Sequence, residues 1–274
     1  MVLDFIRWNV GPEIFNIGFL HIRWYGLLFA ASFYFGYILF TRFFKLEGVK
    51  IEVLDRLTIY MAIGTLVGAR LGHVFFYEPQ DYLKHPLEIL AVWHGGLASH
   101  GAAIGILLSI YFFCRKEKRT YFWVLDRVVI AVALSGFFIR MGNLMNSEIY
   151  GLKTSMPWGF IFERVGETEA KHPTQIYEAL SYLLIFVLLY KLYYKFKGKP
   201  KEGVLFSLFL ILTFTMRFLI EFIKNPQVEF EKSMSLDMGQ WLSIPFVLAG
   251  LIILYYVSKK PVPEAVPDST PKKH

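Results

Sequence analysis

The chain predicts an all-α integral membrane protein with seven transmembrane helices, its N-terminus outside and its C-terminus cytoplasmic. Three observations carry that reading. Hydrophobic residues make up 55% of the 274 positions and charged residues only 19%, below the roughly 25% of a typical soluble domain. Seven stretches are long enough to cross a hydrocarbon core of ~30 Å, which takes about 20 helical residues. The loops between them alternate between rich and poor in Lys and Arg. The net charge of +7 would also suit a nucleic-acid binder. Such proteins carry their charge on a polar scaffold, however, and this scaffold has a mean hydropathy of +0.44. The lone cysteine, Cys114, excludes an internal disulfide, a CxxC redox pair and a cysteine zinc site.

The elements follow in order. Residues 1–17 form an outer N-terminal segment; Asp4 and Glu13 interrupt its apolar run, so it does not read as a cleavable signal peptide. The spans are 18–41, 54–76, 89–114, 122–142, 176–194, 204–223 and 241–258. Sixteen basic residues fall after spans one, three and five and in the C-terminal tail, seven on the opposite side, Lys224 among them, and six arginines lie in or at the spans. The positive-inside rule puts the richer set in the cytoplasm, which requires an odd number of spans. Residues 18–260 thus form the membrane domain, with an outer head at about 143–175. Such a loop is too long to be slack. The Pro-rich polar tail 261–274 is expected to be disordered and cytoplasmic.

The charges inside spans point to function. An Arg at mid-membrane costs at least ~2.5–3.5 kcal/mol on insertion scales, so it needs a partner or a wet cavity. Counting inward from the outer side, Arg23 and Tyr25, Arg70 and His73, His94 and His100, Arg140 and Asn143, and Arg217 and Glu221 fall at a similar depth on five spans. One cavity near the outer leaflet would account for them. Arg suits bidentate phosphate binding, and in a membrane wall the available phosphate is a lipid head group. Asp55-Arg56 and Asp126-Arg127 sit at inner ends and are expected to pair across helices. The run His94–Gly105 interrupts an apolar stretch with glycines, either for a tight helix contact or for a break lining a cavity. His94 and His100 are six apart and share no helical face, so no metal site is expected. Similar VLDRxxI…Arg…Glu patterns at 53–78 and 124–148 hint at an internal duplication.

Several ordered blocks resemble the bacterial prolipoprotein diacylglyceryl transferases: His21-Ile22-Arg23-Trp24-Tyr25-Gly26, Gly68-Ala69-Arg70-Leu71-Gly72, the His94–Gly105 run, Arg140-Met141-Gly142-Asn143 through Asn146, Glu148 and Gly151, His172-Pro173-Thr174-Gln175 through Glu178, Arg217 through Glu221, and Met238 through Pro245. The family signature usually has Gly where this chain has Ile139, Phe where it has Leu144, and Ser-Phe where it has Ala98-Ser99. The resemblance implies transfer of a diacylglyceryl group from phosphatidylglycerol to the lipobox cysteine thiol of a prolipoprotein signal peptide. It implies a multi-pass protein of the bacterial cytoplasmic (inner) membrane, with the lipid bilayer as a further partner and no cofactor, metal or nucleic acid. By the same resemblance His100, Arg140 and Arg217 are catalytic. Tyr25, Arg23, Arg70, Asn143, Asn146, Glu148, Gly151 and Glu221 bind the lipid or support those that do. His100 either takes the thiol proton or positions the lipid. Glu221, one turn after Arg217, is expected to hold that arginine.

Two other classes fit parts of the pattern. An anion or phospholipid transporter would use the same arginine cavity but should open it to both faces in turn. A seven-helix receptor has no need for several Arg at one depth, and a retinal protein needs a Lys in span seven, which has none.

Overall fold

The computed structural model of the chain describes residues 5–17, 20–91, 98–226 and 234–259. His94 to Leu97 of the glycine run, Lys232, Lys260 and the 261–274 tail lie outside the described residues. Helices dominate: α1 (Trp24–Glu47), α2 (Ile51–Phe76), the short α3 (Pro79–Lys84), α4 (Ser99–Glu117), α5 (Tyr121–Met145), α6 (Thr174–Lys195), α7 (Val204–Glu221) and α8 (Met238–Lys259). Among them α1, α2, α5, α6, α7 and α8 are long and apolar enough to cross a membrane, which makes the chain a multi-pass membrane protein.

The structure corrects the expected spans in two places. The first helix starts at Trp24 rather than at 18, because β2 (Glu13–Ile17) and β3 (Leu20–Arg23) pair as an antiparallel hairpin. The third expected span, 89–114, is represented by α4, which begins only at Ser99; before it, Pro86–Leu90 is a 3-10 turn. Arg70 of α2 holds that turn. Its guanidinium Nε donates to the carbonyl of Ile89 at 3.0 Å and its Nη2 to the carbonyl of Glu88, which also accepts the Ala91 amide at 3.1 Å. The all-α expectation also omitted a second small sheet, β1 (Ile6–Trp8) paired in parallel with β4 (Phe160–Phe162).

The chain divides into two compact units, Met1–Tyr34 with Val129–His274, and Phe35–Val128. In the first, α6 packs on α7 and α7 on α8. The connection from α5 to α6 folds on Leu144, Phe160 and Phe162, with Trp8, Met141, Tyr150 and Ile176 around them. Trp8 Nε1 donates to the Leu144 carbonyl at 3.1 Å, and Tyr150 stacks on Phe162 at 4.8 Å between ring centres. Leu144, where the family usually has Phe, is thus a core residue, 2% exposed.

In the second unit α2 and α4 run antiparallel with backbones in contact. A Cβ on Gly68 would sit 2.4 Å from the Gly101 carbonyl oxygen, one on Gly105 2.0 Å from that of Gly64, and one on Gly72 2.6 Å from Gly101 Cα. The described glycines of the His94–Gly105 run therefore serve a helix contact. Arg56 and Arg127 pair across helices, with glutamates: Arg56 with Glu117 at 2.6 Å, and the buried Arg127 with Glu47 at 3.0 Å. Trp123 Nε1 also donates to Glu47, and Arg127 and Arg119 both lie 4.7 Å from the Trp123 ring centre.

Candidate active site

The C-terminus of α5 builds the first part of the site. The helix stops at Met145, and two non-glycine residues, Ser147 (φ 54) and Ile149 (φ 60), adopt left-handed backbone. A β-branched residue there is an outlier and stores strain of about 1–3 kcal/mol. The reversal turns Glu148 back toward the helix: its amide donates to the Asn143 carbonyl at 3.1 Å, and its Oε1 accepts from Asn143 Nδ2 at 2.7 Å and Asn146 Nδ2 at 3.3 Å. Gln175 and Thr174, at the start of α6, hold the carbonyls of Glu148 and Ile149 at 2.7 and 2.9 Å. Asn143 Oδ1 accepts from Arg140 Nη1 at 3.4 Å, so asparagine links Glu148 to the arginine.

Arg140 extends toward α6, where its Nε lies 3.0 Å from Glu178 Oε2; the two side chains are 14% and 4% exposed. The other oxygen of Glu178 faces Lys224 Nζ at 3.3 Å, and Lys224 also reaches Glu221 Oε2 at 3.5 Å. Tyr182, one turn beyond Glu178, hydrogen-bonds Arg140 and lies in the fields of Glu178 and Arg217. Arg217 enters from α7. With Glu178, Ser181, Tyr182, Thr213 and Met216 it lines a cavity of about 10 Å³, room for a single water. Its Nε is buried and makes no hydrogen bond among the described residues. That leaves a fixed cation able to donate to an incoming anion.

The remaining candidates find varied places. Tyr25, half-buried, packs on Gly142, where a Cβ would lie 2.8 Å from the ring. Gly151 allows a close crossing: a Cβ there would sit 2.3 Å from the Ile223 carbonyl, and the 150–152 backbone pairs with 223–225 through that gap. Arg23 is exposed and turns to Glu13 at 3.7 Å, beside His21. Arg70 and His100 belong to the second unit. Arg70 is 4% exposed and committed to the carbonyls of the 3-10 turn, with Tyr82 stacked 4.9 Å from the guanidinium carbon. His100 stands exposed in the first turn of α4. Glu221 holds Lys224 rather than Arg217, because the chain turns at the end of α7 and brings residue 224 back over the carboxylate. Gly239 of α8 packs on that same carboxylate, where a Cβ would lie 2.5 Å from Glu221 Cδ.

Lys224 was missed by sequence reasoning, which counted it among the exposed outer charges. The available signal was weak: a Lys three residues after a Glu at a span end. Glu178 and Tyr182, four apart on one face of α6, had the helical spacing that could have flagged them together. Around the site, burial and the Glu167 carboxylate, 2.7 Å from its hydroxyl, push the Tyr150 phenol up to about 12. Burial lowers the pKa of His172, whose Nδ1 lies 3.2 Å from the Tyr177 hydroxyl. Among the described residues no group of three or more His, Cys, Asp or Glu side chains is arranged to hold a metal ion.

Known proteins resemble this chain over most of its length. A family model described as prolipoprotein diacylglyceryl transferase matches residues 12–256. A protein of Tolumonas auensis is 49% identical over 254 residues, covering 92% of this chain and 98% of its own. One of Chloroherpeton thalassium is 44% identical, covering 94% and 96%, and one of Bacteroides fragilis 43% identical, covering 93% and 96%. All three are named phosphatidylglycerol–prolipoprotein diacylglyceryl transferase.

Proposed function

Because the chain belongs to the prolipoprotein diacylglyceryl transferase family, we propose that it moves the diacylglyceryl group of phosphatidylglycerol onto the lipobox cysteine of prolipoprotein signal peptides. The carbon–sulfur bond of a thioether forms, the bond between the diacylglyceryl carbon and the phosphate oxygen breaks, and glycerol phosphate leaves. The relatives' shared name selects transfer over the transport reading. The observation that carries the site assignment is the pair Arg140 and Arg217. They converge on Glu178 and Tyr182 from α5 and α7, and Arg217 keeps a buried Nε without a hydrogen bond. Fixed guanidinium groups in a low dielectric stabilise charge developing on a leaving phosphate. Asn143, Asn146, Glu148 and Gly151 brace Arg140, and Tyr25 packs beside it on Gly142. A thiol of pKa ~8.5 needs a base near neutral pH, and by the resemblance His100 is the candidate, either taking that proton or positioning the lipid. Arg23 and Arg70 have protein partners of their own and serve the lipid indirectly.

In this reading the protein lies in the cytoplasmic (inner) membrane with seven spans, its N-terminus outside and the head at about 143–175 on the outer side. The third span is α4, whose 19 residues extend about 28 Å, close to the hydrocarbon thickness. The charge bias of the loops supports the orientation.

The test uses the purified protein, phosphatidylglycerol vesicles and a lipobox peptide. The peptide should gain one diacylglyceryl group by mass, and its Cys→Ser counterpart none. Arg140→Ala and Arg217→Ala should each lower turnover at least about 100-fold, the usual cost of losing a charge-stabilising donor, while keeping wild-type helicity. Wild-type turnover in both variants would refute the clamp.

A further inference from the structure

We propose that Lys224 is a positioning residue for this reaction: it neutralises Glu178 and Glu221 together, and so keeps Arg140 and Arg217 available to the lipid phosphate. This rests on the transfer reading above. Lys224 is not an exposed loop charge. It is 4% exposed, and its Nζ lies 3.3 Å from Glu178 Oε1 and 3.5 Å from Glu221 Oε2. Glu178 is shared, its second oxygen facing Arg140 Nε at 3.0 Å. Arg140 and Lys224 thus pair with the two carboxylates, Arg217 lines the same cavity as Glu178, and Glu148 is held by the amides of Asn143 and Asn146. Without Lys224 the two buried carboxylates would claim the two arginines outright, and no uncompensated guanidinium would remain for an anion. A buried carboxylate stripped of its partner is costly and takes the nearest cation.

The backbone holds the ammonium in place. Lys224 bridges to Gly151 in antiparallel pairing, the Leu152 amide donates to the Ile223 carbonyl at 2.9 Å, and the Asn225 amide donates to Tyr150 at 3.3 Å. The absent Cβ of Gly151 permits this crossing. The signature loop therefore fixes the arginines twice, through Asn143 on one side and through Lys224 and Glu178 on the other.

The full-length protein is tested in phosphatidylglycerol vesicles with a lipobox peptide, measuring kcat and the KM for phosphatidylglycerol. Lys224→Met should raise that KM about tenfold, within the range of coupled neighbours, with a smaller change in kcat. Lys224→Arg should restore it to within about threefold, because the charge is kept. Adding Glu178→Gln to Lys224→Met should recover part of the loss, since the carboxylate competing for Arg140 is gone. A merely structural lysine would instead give losses that multiply. If Lys224→Met does not fold, the double variant, which removes one charge of each sign, and Lys224→Arg decide the matter. Lys224→Arg should then stay within about threefold of the wild-type KM, and the double variant below the tenfold rise expected of Lys224→Met. Wild-type KM in Lys224→Met, or a double variant worse than both singles, overturns the proposal. A wild-type protein that transfers no diacylglyceryl group overturns the transfer reading instead.

Discussion

One methyl group at Gly151 should disable the site. A Cβ there would lie 2.3 Å from the Ile223 carbonyl and 2.7 Å from Thr174 Cγ2, so Gly151→Ala must force the 150–152 and 223–225 backbones apart. Transfer should fall at least about tenfold with helicity retained, whereas Gly11→Ala, with only one atom within 4 Å at 3.9 Å, should behave as wild type. Equal activity in both variants would contradict this account of the loop. At this scale Arg140 and Arg217 were legible in the sequence, because a guanidinium inside an apolar run is expensive wherever it occurs. Lys224 was not. A lysine just past a span is ordinarily solvated, and its burial depends on pairing with residues more than 70 positions earlier, which no local pattern records.

Between elements, the tightest statement concerns α2 and α4. A Gly68→Leu side chain would start 2.4 Å from the Gly101 carbonyl and 2.8 Å from Gly105 Cα, with only backbone to displace. We expect a clear loss of yield and a lower thermal midpoint in detergent; an unchanged midpoint would mean that the helices are not in backbone contact. The glycines made this contact one of two readings, whereas the 3-10 turn at Pro86–Leu90 was hidden in the side-chain-to-backbone bonds of Arg70. The head carries a pH signature through His172. Burial lowers its folded pKa, so above about 6.5, the unperturbed value, the imidazole is neutral both folded and unfolded and its contribution is fully present. As pH falls from there through the folded value the unfolded state binds the extra proton, and the head loses stability. Hydrogen exchange over residues 150–173, corrected for intrinsic rates, should quicken at pH 5 relative to pH 7.5. His172→Gln should remove most of the difference, and an identical difference in that variant would exclude His172 as its source.

For the molecule as a whole, the orientation rests on loop charge and is directly measurable. With Cys114 replaced by Ala no native thiol remains. A membrane-impermeant maleimide should then label Lys153→Cys in intact cells, and Lys118→Cys only after the membrane is opened; the reverse pattern would invert the topology. Five of the seven expected spans match helices to within a few residues and the first is displaced by six, because a 20-residue apolar run has few alternatives. The small sheets were invisible to the same reasoning. The parallel pairing of Ile6–Trp8 with Phe160–Phe162 joins segments about 150 residues apart, and neither strand is long enough to show an alternating pattern.

The interlocked backbones of α2 and α4 carry a mechanical consequence. Each step of four residues along the pair meets a gap the size of a missing side chain, at Gly64, Gly68 and Gly72 on one helix and at Gly101 and Gly105 on the other. Sliding by one or two residues would drive a side chain into a carbonyl. The pair can therefore rest only in its present register or a whole step away, and thermal motion cannot shift it by small amounts. It moves as one rigid strut, and any give that lipid and peptide entry require must come from helices that meet through side chains.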